Sequence, residues 1–428
     1  MTGEITAKDN LPGLQFARRP RESGGADKES TQLPRAVLQN VVLVAVAVSV
    51  CLAVLEGGVR LFHIAPPPRG DAGSGIQALV EFDPVLETRY KPNSEARIRS
   101  PYGEFDVSYR TNELGLRDEA LREPRSSCRR VLVLGNSFAE GWGVSESARF
   151  VNVAQAALRD HPPAGPAQTC YRLVNAGVAA YGMAQSYLLM QQLLEPVKPQ
   201  ALVVVLVGTM TSADYNYLRE AATDSRGLAT GLSAEAILSG GTPEREFRPS
   251  WETSTPVQAI SRASAAARLV VQRLVNRAAS GHIVPGDPVT DVLAAFRVHA
   301  EALDRLFTPT LAHLSGVAGL AKQRAIPLLV VHLPMPFQIS DEEWKLGRSA
   351  FKVPDHASST EESRLIEAFC REASLQCLFA DGMIAAKAAR TAQSPHLYFS
   401  YDFHLNEAGN KVVGEWLGAA LAQWLPGG

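Results

Sequence analysis

The chain has no Walker loop, no G-x-G-x-x-G behind a strand and no zinc-type cysteine spacing, so phosphate-cradling, dinucleotide-binding and structural-zinc readings lack support. His161, His299, His313 and His356 show no metal-ligand spacing. The expectation is therefore no metal and no cofactor. Charge of one sign is scarce too: 42 Lys and Arg against 44 Asp and Glu leave a net charge of -2. That removes the global basic field that would point to nucleic acid, so no nucleic-acid partner is expected. No internal repeat is evident. What is present is ample apolar material, 46% of 428 residues, enough for one large core with additions.

The longest apolar run, residues 37–55, contains no charge. About 20 helical residues cross roughly 30 Å of hydrocarbon. No polar stripe divides the run, which disfavours a core helix, and no clear small-residue cleavage site follows, which disfavours a secretory signal. Arg18, Arg19, Arg21, Lys28 and Arg35 precede it, and only Arg60 and Arg69 follow closely. The positive-inside rule then places the N-terminus in the cytoplasm and the bulk of the chain outside, periplasmic in a single-pass inner-membrane protein. Disulfides are permitted there.

The organisation reads as a disordered tail over 1–35, a membrane helix over 36–57, a spacer and small β-rich module over 58–127, and an α/β domain over 128–428. The spacer includes the prolines at 66–68. Strands are expected at 97–99 and 105–109 around a turn at 101–103. In the α/β part, strands fall at 131–134, 173–175, 201–207 and 326–332, with helices at 146–159, 185–194, 361–373 and 407–424. Apolar strands alternating with helices indicate a three-layer α/β/α fold with a mostly parallel sheet. Residues 215–290 break this rhythm as an insertion, either a lid or a variable surface loop.

Of five cysteines, Cys51 lies in the apolar run. Cys128 and Cys170 each precede a strand, and neighbouring parallel strands would bring their entrances together. Cys370 and Cys377 flank a helix-to-strand turn. The alternatives are disulfides 128–170 and 370–377, or four buried free thiols.

Two segments carry chemistry. The strand at 131–134 ends in Gly135, Asn136 and Ser137, and ligands of open α/β sheets bind outside the carboxyl ends of strands. A serine there is exposed on a rigid element, and its own N–H can face a developing oxyanion. Near the other end stand Asp402 and His404, two apart, which an extended loop presents to the same side. His404 would act as base and Asp402 would hold its tautomer. Asn406 fits the N-cap of the following helix.

These blocks resemble those of the SGNH/GDSL hydrolase superfamily. Residues 131–137 resemble its first block, usually Gly-Asp-Ser, with Asn136 in place of the Asp. Residues 175–178 look like the second, whose glycine, here Gly177, would donate an N–H to the oxyanion. Asp402-Phe-His404 is similar to the last, with the one-residue spacing also found in proteins that O-acetylate exopolysaccharides. Residues 333–338 and 109–118 resemble segments of membrane-anchored members. The third block departs: its usual Asn is missing, leaving Thr209 or Thr211 as a side-chain donor, or two backbone N–H groups alone. The resemblance implies an SGNH, flavodoxin-like fold and a serine esterase acting on O-acyl, notably O-acetyl, esters through an acyl-enzyme. It also implies an acylated carbohydrate or small ester as substrate. The alternatives are an O-acetyltransferase for a cell-envelope or secreted polysaccharide, with assembly partners, and a catalytically weak carbohydrate-binding or assembly protein.

Of the remaining residues, His332 reads as a core or rim histidine and Trp142 as plain packing or an acyl-site wall. Glu140 reads as a pocket or solvent-facing carboxylate. Asp214 and Asp381 lack a neighbouring histidine in the sequence.

Overall fold

The computed structural model describes residues 35–61, 74–100, 102–121, 128–164, 169–239, 300–354, 361–389 and 396–426, with scattered residues between 256 and 297. The expected tail, the proline spacer at 66–68 and most of the insertion beyond 239 lie outside the described residues. The chain forms two compact units, Met1–Gly57 and Gly58–Gly428.

The apolar run is helical over Arg35–Leu61. Its stretch Gln39–Leu61 is long and apolar enough to cross a membrane. At 1.5 Å per residue, the 27-residue helix is about 40 Å long.

The second unit starts with two antiparallel hairpins. Strands β1 (Val80–Asp83) and β2 (Glu87–Tyr90) form the first, and β3 (Glu95–Arg99) and β4 (Asp106–Arg110) the second. The turn of the second is closed by Ser100 N–H donating to Phe105 O at 2.9 Å. Gly103 takes φ +74° there, a backbone that glycine adopts without a Cβ penalty. The second hairpin alternates exposed and more buried residues, as half-buried strands do. The buried side chains of both hairpins, Leu86, Tyr90, Ile98 and Tyr109 among them, belong to the same apolar core as the α/β layer.

That layer is built on β5 (Arg129–Gly135), β6 (Tyr171–Gly177), β7 (Ala201–Leu206), β10 (Leu328–His332) and β11 (Gln376–Phe379), while β8 (Ala221–Thr223) and β9 (Ala229–Leu232) form a separate short hairpin. The spatial order is β11-β10-β7-β5-β6, all parallel. Numbered within the sheet this is 2-1-3-4-5, the doubly wound order whose direction of winding reverses beside its first strand. β7 is buried throughout and β5 from Val131 onward, so their apolar runs have no polar face to offer. Each fully buried Val or Leu contributes ~1.5–3 kcal/mol relative to exposure.

Helices Phe150–Asp160 and Glu407–Trp424 pair tightly. A Cβ on Gly414 would stand 2.5 Å from the Val153 Cβ, so glycine sets that close approach. Asn406 caps the last helix, its Oδ1 accepting from Gly409 N–H at 3.0 Å. Cys128 and Cys170 are joined at the entrances of β5 and β6, with Cα atoms 4.9 Å apart, and Cys370 is joined to Cys377 at 6.3 Å. Cys51 is free and exposed. The disulfide alternative therefore holds over that of buried thiols.

Candidate active site

The site sits where the winding reverses. Strand β5 delivers Ser137, and β7 ends just before Thr209. Ser137 opens a single helical turn, Ser137–Glu140, capped by Asn136, whose Oδ1 accepts from Phe138 N–H at 3.0 Å. The Ser137 N–H makes no hydrogen bond among the described residues. Gly141 ends the turn with φ +81°, the left-handed C-cap that glycine favours.

Asp402 and His404 reach Ser137 from the loop before the last helix. Ser137 Oγ–H donates to His404 Nε2 at 2.7 Å, and His404 Nδ1–H donates to Asp402 Oδ1 at 2.5 Å. The same Asp402 oxygen accepts His404 N–H at 2.9 Å, while Oδ2 accepts Trp142 Nε1–H at 3.2 Å. Burial works against charge on Asp402, but the adjacent His404 and these donors outweigh it and hold its carboxyl below the usual range. The His404 ring lies among Phe138, Phe403 and Trp142. Residues 267 positions apart thus form a serine–imidazole–carboxylate relay.

The expected oxyanion donors are placed differently from one another. Thr209 Oγ1 accepts Asn136 Nδ2–H at 3.2 Å, which ties the third-strand end to the serine turn and leaves its own proton unused among the described residues. The Thr211 hydroxyl donates back to Gly208 O at 2.8 Å, in the manner of a helical threonine, and is directed into its own helix. Gly177 N–H donates to Asn175 Oδ1 at 2.9 Å, while Asn175 Nδ2 donates to Ala139 O at 2.8 Å. Gly177 sits so close under the serine turn that a Cβ would be 2.3 Å from Glu140 N. Its N–H would have to exchange acceptors to meet an oxyanion.

Several partners escaped the sequence reading. Glu140 does not face solvent: it is fully buried and accepts Tyr90 O–H at 2.8 Å. Burial pushes its carboxyl up, moderated chiefly by the Arg117 charge. Arg117 spreads over the Tyr109 ring and donates to the carbonyls of Glu140, Gly141 and Val144, closing the backbone behind the serine. Trp142 contributes a hydrogen bond to Asp402 as well as its ring. Asp381, with no histidine near it in the sequence, has one beside it in space. His332 donates from Nδ1 to Asp381 Oδ2 at 3.1 Å and from Nε2 to Glu362 Oε1 at 3.3 Å. Asp214 accepts from Ala184 N–H and the Thr310 hydroxyl. No local sequence signal could have joined these groups, which meet through the β10–β11 pairing for Asp381 and through helix packing for Asp214. Among the described residues, no group of three His, Cys, Asp or Glu side chains is arranged to hold a metal.

No model of a known family matches the chain, and no curated protein matches it in sequence. Among solved structures, a lipase/acylhydrolase from Enterococcus faecalis aligns with 70% of this chain and 98% of its own, at 9% identity and a TM-score of 0.35. An acetyl xylan esterase aligns with 68% of this chain and 99% of its own, at 14% identity and a TM-score of 0.35. An esterase of the SGNH-hydrolase family aligns with 70% of this chain and 97% of its own, at 15% identity and a TM-score of 0.29. At such identities and scores the likeness settles neither family nor activity, and the functional reading stands on side-chain geometry.

Proposed function

We infer that this chain is a membrane-anchored serine esterase of the SGNH/GDSL type that cleaves O-acyl esters through an acyl-enzyme. The observation that carries this is the continuous relay from Ser137 Oγ through His404 to Asp402, at 2.7 and 2.5 Å. His404 Nε2 takes the Ser137 proton as Oγ bonds to the ester carbonyl carbon. Asp402 keeps the other ring proton on Nδ1 and stabilises the imidazolium. The oxyanion meets the Ser137 N–H and the Thr209 hydroxyl, with Gly177 N–H as a third donor once it leaves Asn175. Collapse of the tetrahedral species breaks the ester C–O bond, and the leaving alkoxide takes the proton from His404. Water then attacks the acyl-enzyme with His404 as base, releasing the acid and restoring Ser137.

The helix Arg35–Leu61 supports attachment to a membrane, and the five basic residues before it support a cytoplasmic N-terminus. The two disulfides in the second unit, with the only free cysteine in the apolar helix, suit an extracytoplasmic enzyme. Short O-acyl groups, acetyl first, on a cell-surface or secreted carbohydrate are the proposed substrate class. The deciding experiment compares wild type with Ser137→Ala on 4-nitrophenyl acetate, full chain in detergent. The substitution should cut turnover by at least about 10³-fold. Equal turnover by the two proteins would refute the nucleophile.

A further inference from the structure

The second hairpin reaches the catalytic loop through its turn. Glu104 lies in the β3–β4 turn, nearly three hundred residues from Asp402 in sequence. Its Oε1 accepts Tyr401 N–H at 2.9 Å and its Oε2 accepts Asp402 N–H at 3.0 Å. Both carboxylate oxygens are thus spent on consecutive backbone amides of the loop that carries Asp402 and His404. The neighbouring rings follow the same joint: Tyr102 stacks on Tyr401 at 5.3 Å, and Phe105 meets Phe399 at 5.3 Å and Trp142 at 6.0 Å.

Resting on the esterase reading above, we propose that Glu104 is a positioning residue that sets the Asp402–His404 loop by clamping two successive backbone amides. A carboxylate is an uneconomical choice for mere filling here. Burial pushes the Glu104 carboxyl up, and only the amides of the loop work against that, while the Asp402 charge adds to it. A neutral side chain would avoid the penalty but cannot accept from two amides with two equivalent oxygens. Glutamine at this position would turn an NH₂ group toward a backbone N–H, losing one bond and setting donor against donor. The loop would shift, and His404 would move relative to Ser137 with no change in the surfaces that bind an ester. Displacements of about 1 Å in such a relay cost on the order of 10²-fold in rate.

The test is kinetic, on full-length protein in detergent with 4-nitrophenyl acetate. Glu104→Gln should lower kcat by about 10- to 100-fold with KM within about 2-fold of wild type and an unchanged melting temperature. Glu104→Asp, which keeps two acceptor oxygens, should recover part of the lost kcat. Wild-type kcat in Glu104→Gln, or a loss that only follows KM and melting temperature, would overturn the proposal. If Glu104→Gln does not fold, hydrogen exchange on the wild type decides. The Tyr401 and Asp402 amides should be protected, and free exchange at both would overturn the clamp. Ser137→Ala run alongside separates the two claims. If it loses activity while Glu104→Gln keeps it, the clamp fails and the esterase reading stands; if it keeps activity, the esterase reading itself fails.

Discussion

Two aspartate–histidine pairs occupy the carboxyl edge of one sheet, and they differ in what meets the second ring nitrogen. In the first, His404 turns Nδ1 to Asp402 and Nε2 to the Ser137 hydroxyl. In the second, His332 turns Nδ1 to Asp381 and Nε2 to Glu362. A hydroxyl as third partner leaves an imidazole able to accept a proton. A second carboxylate instead calls for a proton on both nitrogens. Burial opposes charge on His332, but its hydrogen bonds to the two carboxylates prevail and push its pKa up to about 9. Asp381 is further held by the Ser363 hydroxyl at 2.8 Å, and Gln338 donates to Glu362 at 3.2 Å. The first pair is arranged to move a proton and the second to keep one.

The largest effect that would sharpen this contrast is expected from Asp402→Asn. It leaves the shape but no longer fixes Nδ1 as the protonated nitrogen, and kcat should fall by about 10⁴-fold. Asp381→Asn should leave kcat within a few-fold, and comparable losses in the two variants would break the comparison. Next comes Thr209→Val, which removes the hydroxyl whose proton is unused among the described residues at the third-strand end. Loss of an oxyanion donor costs about 10²–10³-fold in kcat, whereas Thr211→Val, whose hydroxyl is bonded to Gly208, should cost far less. Equal effects of the two threonine variants would remove Thr209 from the site.

Stability offers a third contrast. A folded pKa of about 9 against 6.5 unfolded means that the His332 pair stabilises the fold fully below pH 6.5 and loses that contribution as pH rises through 9. The difference of about 2.5 units corresponds to roughly 3 kcal/mol, so His332→Gln should unfold more easily than wild type at pH 6 by an amount of that order, with the gap closing toward pH 10. Denaturant midpoints at the two pH values measure it. The smallest effect is expected from Trp142→Phe. It keeps a ring and removes one hydrogen bond to Asp402, worth about 1.5–3 kcal/mol at most because the acceptor is charged. A modest fall in kcat would follow.

The contrast also explains what was legible in the sequence. Ser137 was readable because the strand before it is apolar and ends in glycine. Asp402 and His404 were readable because they are two apart. The parallel sheet followed from apolar strands alternating with helices, and the long apolar helix from an uncharged run. Asp381, by contrast, seemed to lack a histidine because His332 is 49 positions away and reaches it only through the β10–β11 pairing. Glu104, Tyr90 and Arg117 lie in the segment before the α/β pattern begins. Nothing in their local spacing indicates that they close on residues of the serine turn or the histidine loop. The helix Ala300–Gln323 has no counterpart in the sequence reading, since Pro309 within it and Gly316 and Gly319 blur its periodicity. Thr211 read as equal to Thr209 because a hydroxyl's direction is set by the backbone turn around it, which spacing does not reveal.

The most direct measurement is covalent trapping. The full chain in detergent is incubated with a phosphonate or fluorophosphonate ester and mapped by peptide mass spectrometry, in parallel with residual turnover of 4-nitrophenyl acetate. One adduct is expected, on Ser137, rising in step with the loss of activity and absent from His404→Ala. Full inactivation with the label on another residue, or undiminished activity with Ser137 labelled, would contradict Ser137 as the nucleophile.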